Sequence, residues 1–536
     1  MLSKTSLFQN WAKDRIVNLI NKESDFKIKI QDIHVDIVNG ISLKHALLND
    51  HHQDTLFYGG NLTIGLRQSL ISLFSNSLYI KDVEIDSSVF KIISYHSEER
   101  NSLNHFLYQI KPKSKSSKSV PFLFFLETIS AKSFRYQRVY EESSRYEDYY
   151  VGSLEATIEE LNTNAGFLRF GKVVLSEPNI SVVKKIALRD SVHRNIAIRD
   201  TIPSEVVDPD IKCSLPFVVQ IKSALIKNGS FAYRNENNAI EHFDTTKLPS
   251  MDFNDFQVVD INSSLTGFIY NDLDFFGSMN FFNAKSSSGL TIKNIKINNG
   301  AVTSKYVNLQ NFIIETDKSI LKDTLELKYS KYESYLNFVD AIFINFKSKN
   351  SKVAVEDIAQ FFSKIADDAF FIKNKDQTFK LSGTVFGKVN SLKIPKLDFE
   401  FGDKIKFTGN FASRNLAKFG EEILNIKADK FQSSIKNLQD IFPGFKVPTN
   451  LVNIGNFTFR GNFDGYIGDF VSYGKFTTDL GIANTDINLN FRNGNTKATY
   501  SGALELVDFE LGTIIGIPDL KQVNLKTVLR NGVGLT

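Results

Sequence analysis

The chain has 536 residues, of which 42% are hydrophobic and 23% are charged, so it has ample material for a core and is not a disordered polymer. Its 64 basic and 60 acidic residues give a net charge of only +4, which argues against a dedicated nucleic-acid-binding protein. The single cysteine, Cys213, excludes an intramolecular disulfide.

No membrane-spanning segment or signal peptide is predicted. The longest strongly apolar run, at residues 120–126, is far shorter than the ~20 residues that a helix needs to cross a bilayer. A chain of this length would ordinarily hold several domains, yet its composition does not shift strongly along the sequence. We therefore expect one quasi-repetitive body.

Residues 1–23 are predicted to form an amphipathic helix, because apolar side chains recur there at spacings of three and four. These residues are Phe8, Trp11, Ala12, Ile16, Leu19 and Ile20. The helix either covers the first strand of a sheet or lies near a membrane surface. We favour the first interpretation.

Over residues 24–350, and again over 373–536, apolar and polar side chains alternate in short runs, as in Phe457-Thr458-Phe459. This period of two is typical of strands with one apolar face. Residue pairs that favour hairpin turns separate the runs: Asn299-Gly300, Gly402-Asp403, Gly461-Asn462 and Asn493-Gly494. The predicted fold is mainly β, with a long antiparallel sheet.

A helical insertion is predicted over 351–372. Its apolar stripe consists of Val355, Ile358, Phe361, Phe362 and Ile365. Shorter helical pieces are expected at 68–75, around 103–110 and at Ile435–Ile441, each covering the sheet locally. The lysine-rich and serine-rich stretch at 111–119 is interpreted as a loop rather than a binding patch, because no aromatic residues interleave with its lysines.

Two segments about 95 residues apart share a loose pattern. Residues 120–136 and 215–233 each begin with an apolar residue, proline and phenylalanine, and each end in an aromatic-x-Tyr strand. The pattern suggests duplication of a β module.

Catalytic and metal-binding motifs are not found. The run from Asp50 to Asp54 contains His51 and His52, but adjacent histidines on a strand point to opposite faces, so we interpret the run as an exposed turn. Residues 468–475 miss the phosphate-binding loop pattern by one residue and fit a hairpin better. The sequence therefore predicts a protein that is not an enzyme and has no cofactor and no metal.

Several motifs, in order along nearly the whole chain, resemble the TamB family (translocation and assembly module, AsmA-like) of Bacteroidetes. They include Asp54-Thr55-Leu56-Phe57-Tyr58, Ser288-Gly289-Leu290-Thr291-Ile292, Gly461-Asn462-Phe463-Asp464-Gly465 and Phe509-Glu510-Leu511-Gly512. The family is similar to the bridge-like lipid transfer proteins. The resemblance implies an elongated, curved sheet with an apolar groove, in the periplasm and anchored to the inner membrane.

The resemblance also implies partners: phospholipids carried between the two membranes, and an outer-membrane protein of the BamA/TamA type. Relatives carry a transmembrane helix before the amphipathic segment and a further β domain at the end. We therefore expect this chain to be an N-terminal fragment of such a protein, with its inner-membrane anchor outside the sequence.

Candidate groove residues are apolar positions that share one parity in each strand: Leu397, Phe399, Phe401, Ile405, Phe407, Phe457, Phe459, Ile487, Leu489 and Phe491. Periodicity alone also fits a closed β-sandwich core, and the resemblance favours the groove. Two other functions stay open. One is a scaffold that assembles outer-membrane proteins by strand addition, and the other is an adhesin or carbohydrate-processing solenoid.

Overall fold

The computed structural model describes residues 5–23, 25–36, 38–68, 77–110, 123–162, 165–185, 218–237, 248–361, 366–416, 418, 421–443, 445, 447, 449–517 and 519–534. They form 24 strands and a few short helices. The prediction of a mainly β chain with an N-terminal helix is therefore confirmed. Within these residues no helix combines the length and the apolar character needed to span a membrane.

The chain divides into two compact units. Unit 1 contains Met1–Phe243 and Asp252–Ile292, and unit 2 contains Asp244–Met251 and Lys293–Thr536. Strand β12 (Thr291–Val302) contains the boundary between them.

The elements of unit 1 are α1 (Ser6–Glu23), β1 (Lys27–Asp36), β2 (Gly40–Asn49), β3 (Thr55–Leu66), β4 (Ser77–Ser94), α2 (Ser102–Ile110), β5 (Leu123–Tyr140), β6 (Arg145–Asn162), β7 (Phe167–Ser176), β8 (Asn179–Lys184), β9 (Val218–Asn235), β10 (Asp255–Asn271) and β11 (Asp274–Ser286). Most neighbouring strands pair antiparallel, as predicted. β7 and β8 follow one another between β6 and β9. Each of the two short strands pairs with β6 on one side and with β9 on the other.

Two long strands of unit 1 pair in parallel with strands that precede them. β5 runs parallel to β4, and β9 runs parallel to β7 and β8. A parallel pair needs a long crossover, and the one before β5 contains α2. β5 and β9 are each 18 residues long and contain most of the two similar segments identified in the sequence. The beginnings of those segments, at 120–122 and 215–217, lie outside the described residues.

Helix α1 covers the edge of β1. Its side chains Phe8 and Val17 pack against a core cluster that includes Ala12, Ile30 and Val35. Two side-chain carboxamides of α1 also make hydrogen bonds to the β1 backbone that a neighbouring strand would otherwise make. Gln9 accepts from Val35 N at 2.6 Å and donates to Val35 O at 2.8 Å, and Asn21 makes the same pair of bonds with Ile28. This is the covering role that we favoured, and it protects an edge strand from pairing with other chains.

The elements of unit 2 are β13 (Tyr306–Thr316), β14 (Ile320–Lys328), a 3-10 turn (Tyr332–Asn337), α3 (Phe338–Ala341), β15 (Phe343–Ala354), α4 (Val355–Phe361), α5 (Ala369–Lys373), β16 (Thr378–Lys388), β17 (Ser391–Phe401), β18 (Ile405–Arg414), β19 (Ile423–Ser434), α6 (Ile435–Ile441), a 3-10 turn (Thr449–Ile454), β20 (Asn456–Tyr466), β21 (Asp469–Thr478), β22 (Gly481–Asn490), a 3-10 turn (Asn495–Lys497), β23 (Thr499–Glu510), α7 (Leu511–Ile515) and β24 (Gln522–Val533).

From β13 to β24 each strand pairs antiparallel with the next one in the chain. At about 4.8 Å per strand, this meander runs for roughly 50 Å along the contour of the sheet. Every strand therefore presents one face of its alternating pattern to the same side as its neighbours.

The predicted turns are only partly right. Gly402-Asp403 joins β17 to β18, and Asn493-Gly494 lies between β22 and β23. Asn299-Gly300 and Gly461-Asn462 lie instead inside β12 and β20, so the turn prediction is wrong there. Gly461 is needed for a different reason: a Cβ at this position would come within 2.6 Å of the Gly474 Cα on the facing strand.

Helices α4, α5 and α6 cover one end of the apolar face of unit 2. α6 has the predicted bounds, and Ser434 caps it by accepting from Asn437 N at 3.1 Å. Of the predicted 351–372 insertion, residues 351–354 instead belong to β15, α4 begins at Val355, and α5 ends one residue beyond the predicted range, at Lys373. Asn374 ties α5 to α6, since its Nδ2 donates to Phe370 O and to Ile441 O.

α2 confirms the helix expected around 103–110. The loop at 111–119, the stripe residues Phe362 and Ile365, residues 69–75 of the expected early helix, and Cys213 lie outside the described residues.

Candidate functional site

A row of phenylalanines crosses unit 2 perpendicular to its strands. Residues that face each other in an antiparallel pair lie on the same side of the sheet, so the strand register defines the row directly. Its members are Leu381, Phe399, Phe407, Phe431, Phe459, Phe476, Ala483 and Leu506, one from each of β16 to β23. The row runs for about 34 Å along the sheet, at about 4.8 Å per strand.

A second row, two residues away along each strand and three in β19, consists mainly of small residues. From β17 to β22 its members are Leu397, Gly409, Ala428, Gly461, Gly474 and Thr485. A third row, beyond the small one, is again bulky, with Phe411, Ile426, Phe463, Ser472 and Ile487 in register. The backbone of the small row thus forms the floor of a trough between two bulky rows, and we call it the glycine floor.

Two β-bulges keep the apolar side chains on this face. The register shifts between Ile394 and Leu397 in β17, and between Ala428 and Phe431 in β19. Lys396 has φ of +70° at the first of these shifts. A bulge inserts one extra residue into a strand. Apolar residues that are three positions apart, rather than two, can then lie on the same face.

An apolar cavity of about 900 Å³ lies over the trough. Its lining residues are Leu381, Ile394, Leu397, Phe399, Ile405, Phe407, Phe411, Ile426, Ala428, Phe431, Ile435, Leu438, Phe442, Ile454, Phe457, Phe459, Phe463, Phe470, Ser472, Phe476, Thr478, Ala483 and Phe509. All of them are apolar except Ser472 and Thr478. This volume lies toward the upper end of the roughly 300–1,000 Å³ that small-molecule sites occupy.

The wall opposite the sheet comes from α6 and the segments that follow it. Ile435 and Leu438 project from the helix, and Phe442 and Ile454 continue the wall. Ile435 and Leu438 also pack on the cluster of Ala428, Phe457 and Phe459.

Aromatic contacts join neighbouring strands along the trough. The rings of Phe459 and Phe476 lie 4.4 Å apart between centroids, and those of Phe463 and Phe470 lie 4.6 Å apart. The ring of Phe459 lies over the glycine floor. It lies so close that a Cβ on Gly461 or Gly474 would collide with it. The floor therefore has to be glycine for the ring to lie there.

Charges lie on the opposite face of the same strands. Lys380 Nζ donates to Glu400 at 2.7 Å, and this hydrogen bond lowers the pKa of Glu400 below its ordinary value. Asn425 donates to Asp464 at 2.8 Å on the same side. No charged side chain lines the cavity among the described residues. The cavity is therefore suited to hydrocarbon rather than to an ion or a sugar.

The ten predicted groove residues fall into four groups. Six of them line the cavity: Leu397, Phe399, Ile405, Phe407, Phe457 and Phe459. Phe401 is only 2% exposed and lies in the core cluster beneath the helices, packed with Val355 and Ile441. Ile487 and Leu489 face Ser472 and Phe470 across β21 and β22, so they extend the same face. Phe491 follows β22, with its ring 6.4 Å from that of Phe470.

Several lining residues were not selected from the sequence. Phe463, Phe470 and Phe476 are apolar members of alternating runs. Glycines interrupt the alternation there, so the sequence did not show which residues share a face. Phe431 lies behind a bulge. The side chains from α6 carry no period-two signal at all, because a helix supplies them.

Comparison with known protein families, with curated proteins and with solved structures gives no match. The functional argument therefore rests on the geometry of the trough and on the residues of this chain.

Proposed function

We propose that unit 2 binds phospholipid acyl chains in the apolar trough, as part of a TamB-like protein that carries phospholipid between the inner and outer membranes. The observation that supports this proposal most is the uncharged cavity of about 900 Å³ between the phenylalanine rows and α6. A lipid tail that crosses water needs a continuous apolar surface, and rows that run across the strands supply one.

The magnitude of the hydrophobic effect supports an acyl chain as the ligand. Each buried CH₂ contributes about 0.8 kcal/mol, so a 16-carbon chain gains roughly 12 kcal/mol when it is fully buried. Association costs on the order of 4–15 kcal/mol, which leaves weak to moderate net affinity. Weak affinity suits a carrier because the lipid must also leave. A charged headgroup would stay in water at the edge of the trough, since the lining offers it no partner.

The wider context of the proposal comes from the resemblance to TamB proteins. The resemblance implies a periplasmic location, attachment to the inner membrane and an outer-membrane protein of the BamA type as partner. The protein would act as a carrier and not as an enzyme.

Charged and bulky substitutions in the trough test this function. Phe399→Asp and Phe459→Asp would bury a carboxylate where the acyl chain lies, and Ala483→Trp would fill the cavity without adding charge. We expect each variant to bind a fluorescent phospholipid at least about tenfold more weakly, equivalent to about 1.4 kcal/mol. Thr458→Asp, on the opposite face of the strand that carries Phe459, is the matched control and should bind normally.

Photo-crosslinking distinguishes lipid cargo from the protein-assembly alternative. A benzoylphenylalanine in place of Phe463 should form adducts with phospholipid, while one in place of Thr458 should not. Adducts with extended peptides at the Phe463 position, and none with lipid, would favour the strand-addition scaffold instead. Unchanged lipid binding by folded Phe399→Asp and Ala483→Trp would contradict the trough as the binding site.

A further inference from the structure

Four ionisable side chains from three separate segments of unit 1 meet next to the turn between β2 and β3. His51 Nε2 lies 3.0 Å from Glu98 Oε2, and His52 Nε2 lies 2.7 Å from Glu98 Oε1. The ring of His105, on α2, stacks on that of His51 with 4.1 Å between centroids and 22° between planes. Potential ligand atoms of His51, Glu98 and His105 all lie within 4.8 Å of one another.

The turn that carries the two histidines is held rigidly. Asp50 Oδ1 accepts from His52 N at 3.0 Å and from Asp54 N at 2.9 Å, and Tyr95 OH donates to Asp50 Oδ2 at 2.5 Å. Adjacent histidines would point to opposite faces of a strand, but in this turn both reach the same glutamate. The arrangement is therefore fixed before any ligand arrives.

One ring nitrogen of His51 has an unusual environment. Nδ1 is buried and has no hydrogen-bond partner among the described residues. The side chain is only 11% exposed, and the fully buried Phe26 packs against both His51 and His105. A buried polar atom without a partner is costly in a folded protein, and a bound cation would remove that cost.

We propose that His51, Glu98 and His105 bind one divalent transition-metal ion of the zinc type. Two imidazoles and one carboxylate are the donors that Zn²⁺ accepts readily, whereas Mg²⁺ and Ca²⁺ prefer oxygen ligands alone. Three protein ligands leave a fourth position for water.

The geometry requires only small movements. Ligand atoms around a tetrahedral Zn²⁺ lie roughly 3.4 Å apart, given bonds of about 2.1 Å, so side-chain rotations of about an ångström would suffice. His52 holds the second oxygen of Glu98. This contact from His52 is of the kind that orients metal ligands in known sites. Gln109 Nε2 donates to His105 Nε2 at 2.8 Å, so the ion would replace that hydrogen bond.

The ion would join three parts of unit 1 that are distant in the sequence: the β2–β3 turn, the segment after β4, and α2. This role is structural and does not depend on lipid binding in unit 2. Metal should therefore raise the thermal stability of the protein, because it binds the folded state.

The test is titration of the full chain, purified without a histidine tag and stripped with a chelator, using ZnCl₂ in a calorimeter. We expect one saturable site per chain and a melting temperature that rises with Zn²⁺. Co²⁺ should bind at the same site and give the absorption bands of a four-coordinate ion. Mg²⁺ at millimolar concentration should neither bind there nor displace Zn²⁺.

Single substitutions locate the site. His51→Ala, Glu98→Gln and His105→Ala should each weaken Zn²⁺ binding by at least about tenfold. His34→Ala, at an exposed position of β1, is the control and should bind as the natural protein does. Glu98→Gln keeps the size of a partly exposed side chain, so it remains informative if a histidine variant fails to fold. No saturable binding at stoichiometric Zn²⁺, or full binding by folded Glu98→Gln, would overturn the proposal.

Discussion

At the scale of single residues, the ionisation of Tyr149 in unit 1 depends on its burial and on its neighbour Glu147. Glu147 is only 5% exposed, yet it is paired: Arg145 Nη2 lies 2.6 Å from Oε1, and Tyr149 OH donates to Oε2 at 3.0 Å. Burial, together with the charge of Glu147, raises the pKa of Tyr149 to about 12. The neutral phenol is therefore favoured in the folded state.

This shift predicts a dependence of stability on pH. Because the pKa of Tyr149 is higher in the folded than in the unfolded chain, its contribution is complete below about pH 10 and is lost as the pH rises toward 12. Tyr149→Phe should lower the free energy of unfolding by about 1 kcal/mol at neutral pH, through the lost hydrogen bond. The difference from the natural protein should then narrow above pH 10.

Denaturant unfolding at a series of pH values measures this difference. Tyr306→Phe, at an exposed position, is the control and should follow the natural protein throughout. A gap between Tyr149→Phe and the natural protein that stays constant from pH 8 to 11 would refute the assignment.

At the scale of elements, the glycine floor explains how strands with bulky phenylalanines can form a trough. Gly461 and Gly474 face each other across β20 and β21, and a Cβ on either one would come within 2.7 Å of the other's Cα and of the Phe459 ring. Side chains at these positions would push the strands apart and drive the ring into the cavity.

Alanine at the glycine floor should therefore damage both stability and binding. We expect Gly461→Ala and Gly474→Ala each to cost about 1–3 kcal/mol, as overpacking does, and to reduce phospholipid binding. Gly468→Ala, in the turn between the same two strands, is the matched control because the tightest contact of its Cβ would be 3.2 Å, to the flexible side chain of Arg492. Thermal unfolding and lipid titration measure the two effects. Equal behaviour of all three variants would count against the close approach of the strands.

The fold class and much of the apolar face could be predicted from the sequence, because period two is a local property of each strand. The bounds of α6 were also predictable from local spacing. Parity counting fails at the bulges beside Lys396 and Phe431, where one extra residue changes which positions share a face. Gly461-Asn462 looks like a turn because the sequence does not reveal the strand that faces it.

The parts that could not be predicted depend on contacts between distant segments. Phe401 has the same parity as Phe399, but it is buried by α4, α5 and α6, whose docking no local pattern encodes. Likewise His51, Glu98 and His105 come together through the register of β2 to β4 and the position of α2. Their spacing in the sequence matches no metal motif.

At the scale of the whole molecule, the two units differ in the features that bear on function. Unit 1 has an edge strand covered by α1 and the histidine cluster, whereas unit 2 has an uninterrupted antiparallel meander with an apolar trough. The lipid-binding proposal rests on unit 2, and the metal proposal rests on unit 1. Each can fail without affecting the other.

The central claim is that the trough of unit 2 holds phospholipid acyl chains. Mass spectrometry of lipids extracted from the chain, purified without detergent, tests this claim most directly by giving the number of phospholipids per protein. We predict at least one bound phospholipid per chain in the natural protein and in Thr458→Asp, and a clear loss in Ala483→Trp. A natural protein that carries no phospholipid, or an Ala483→Trp variant that carries as much, would contradict the account.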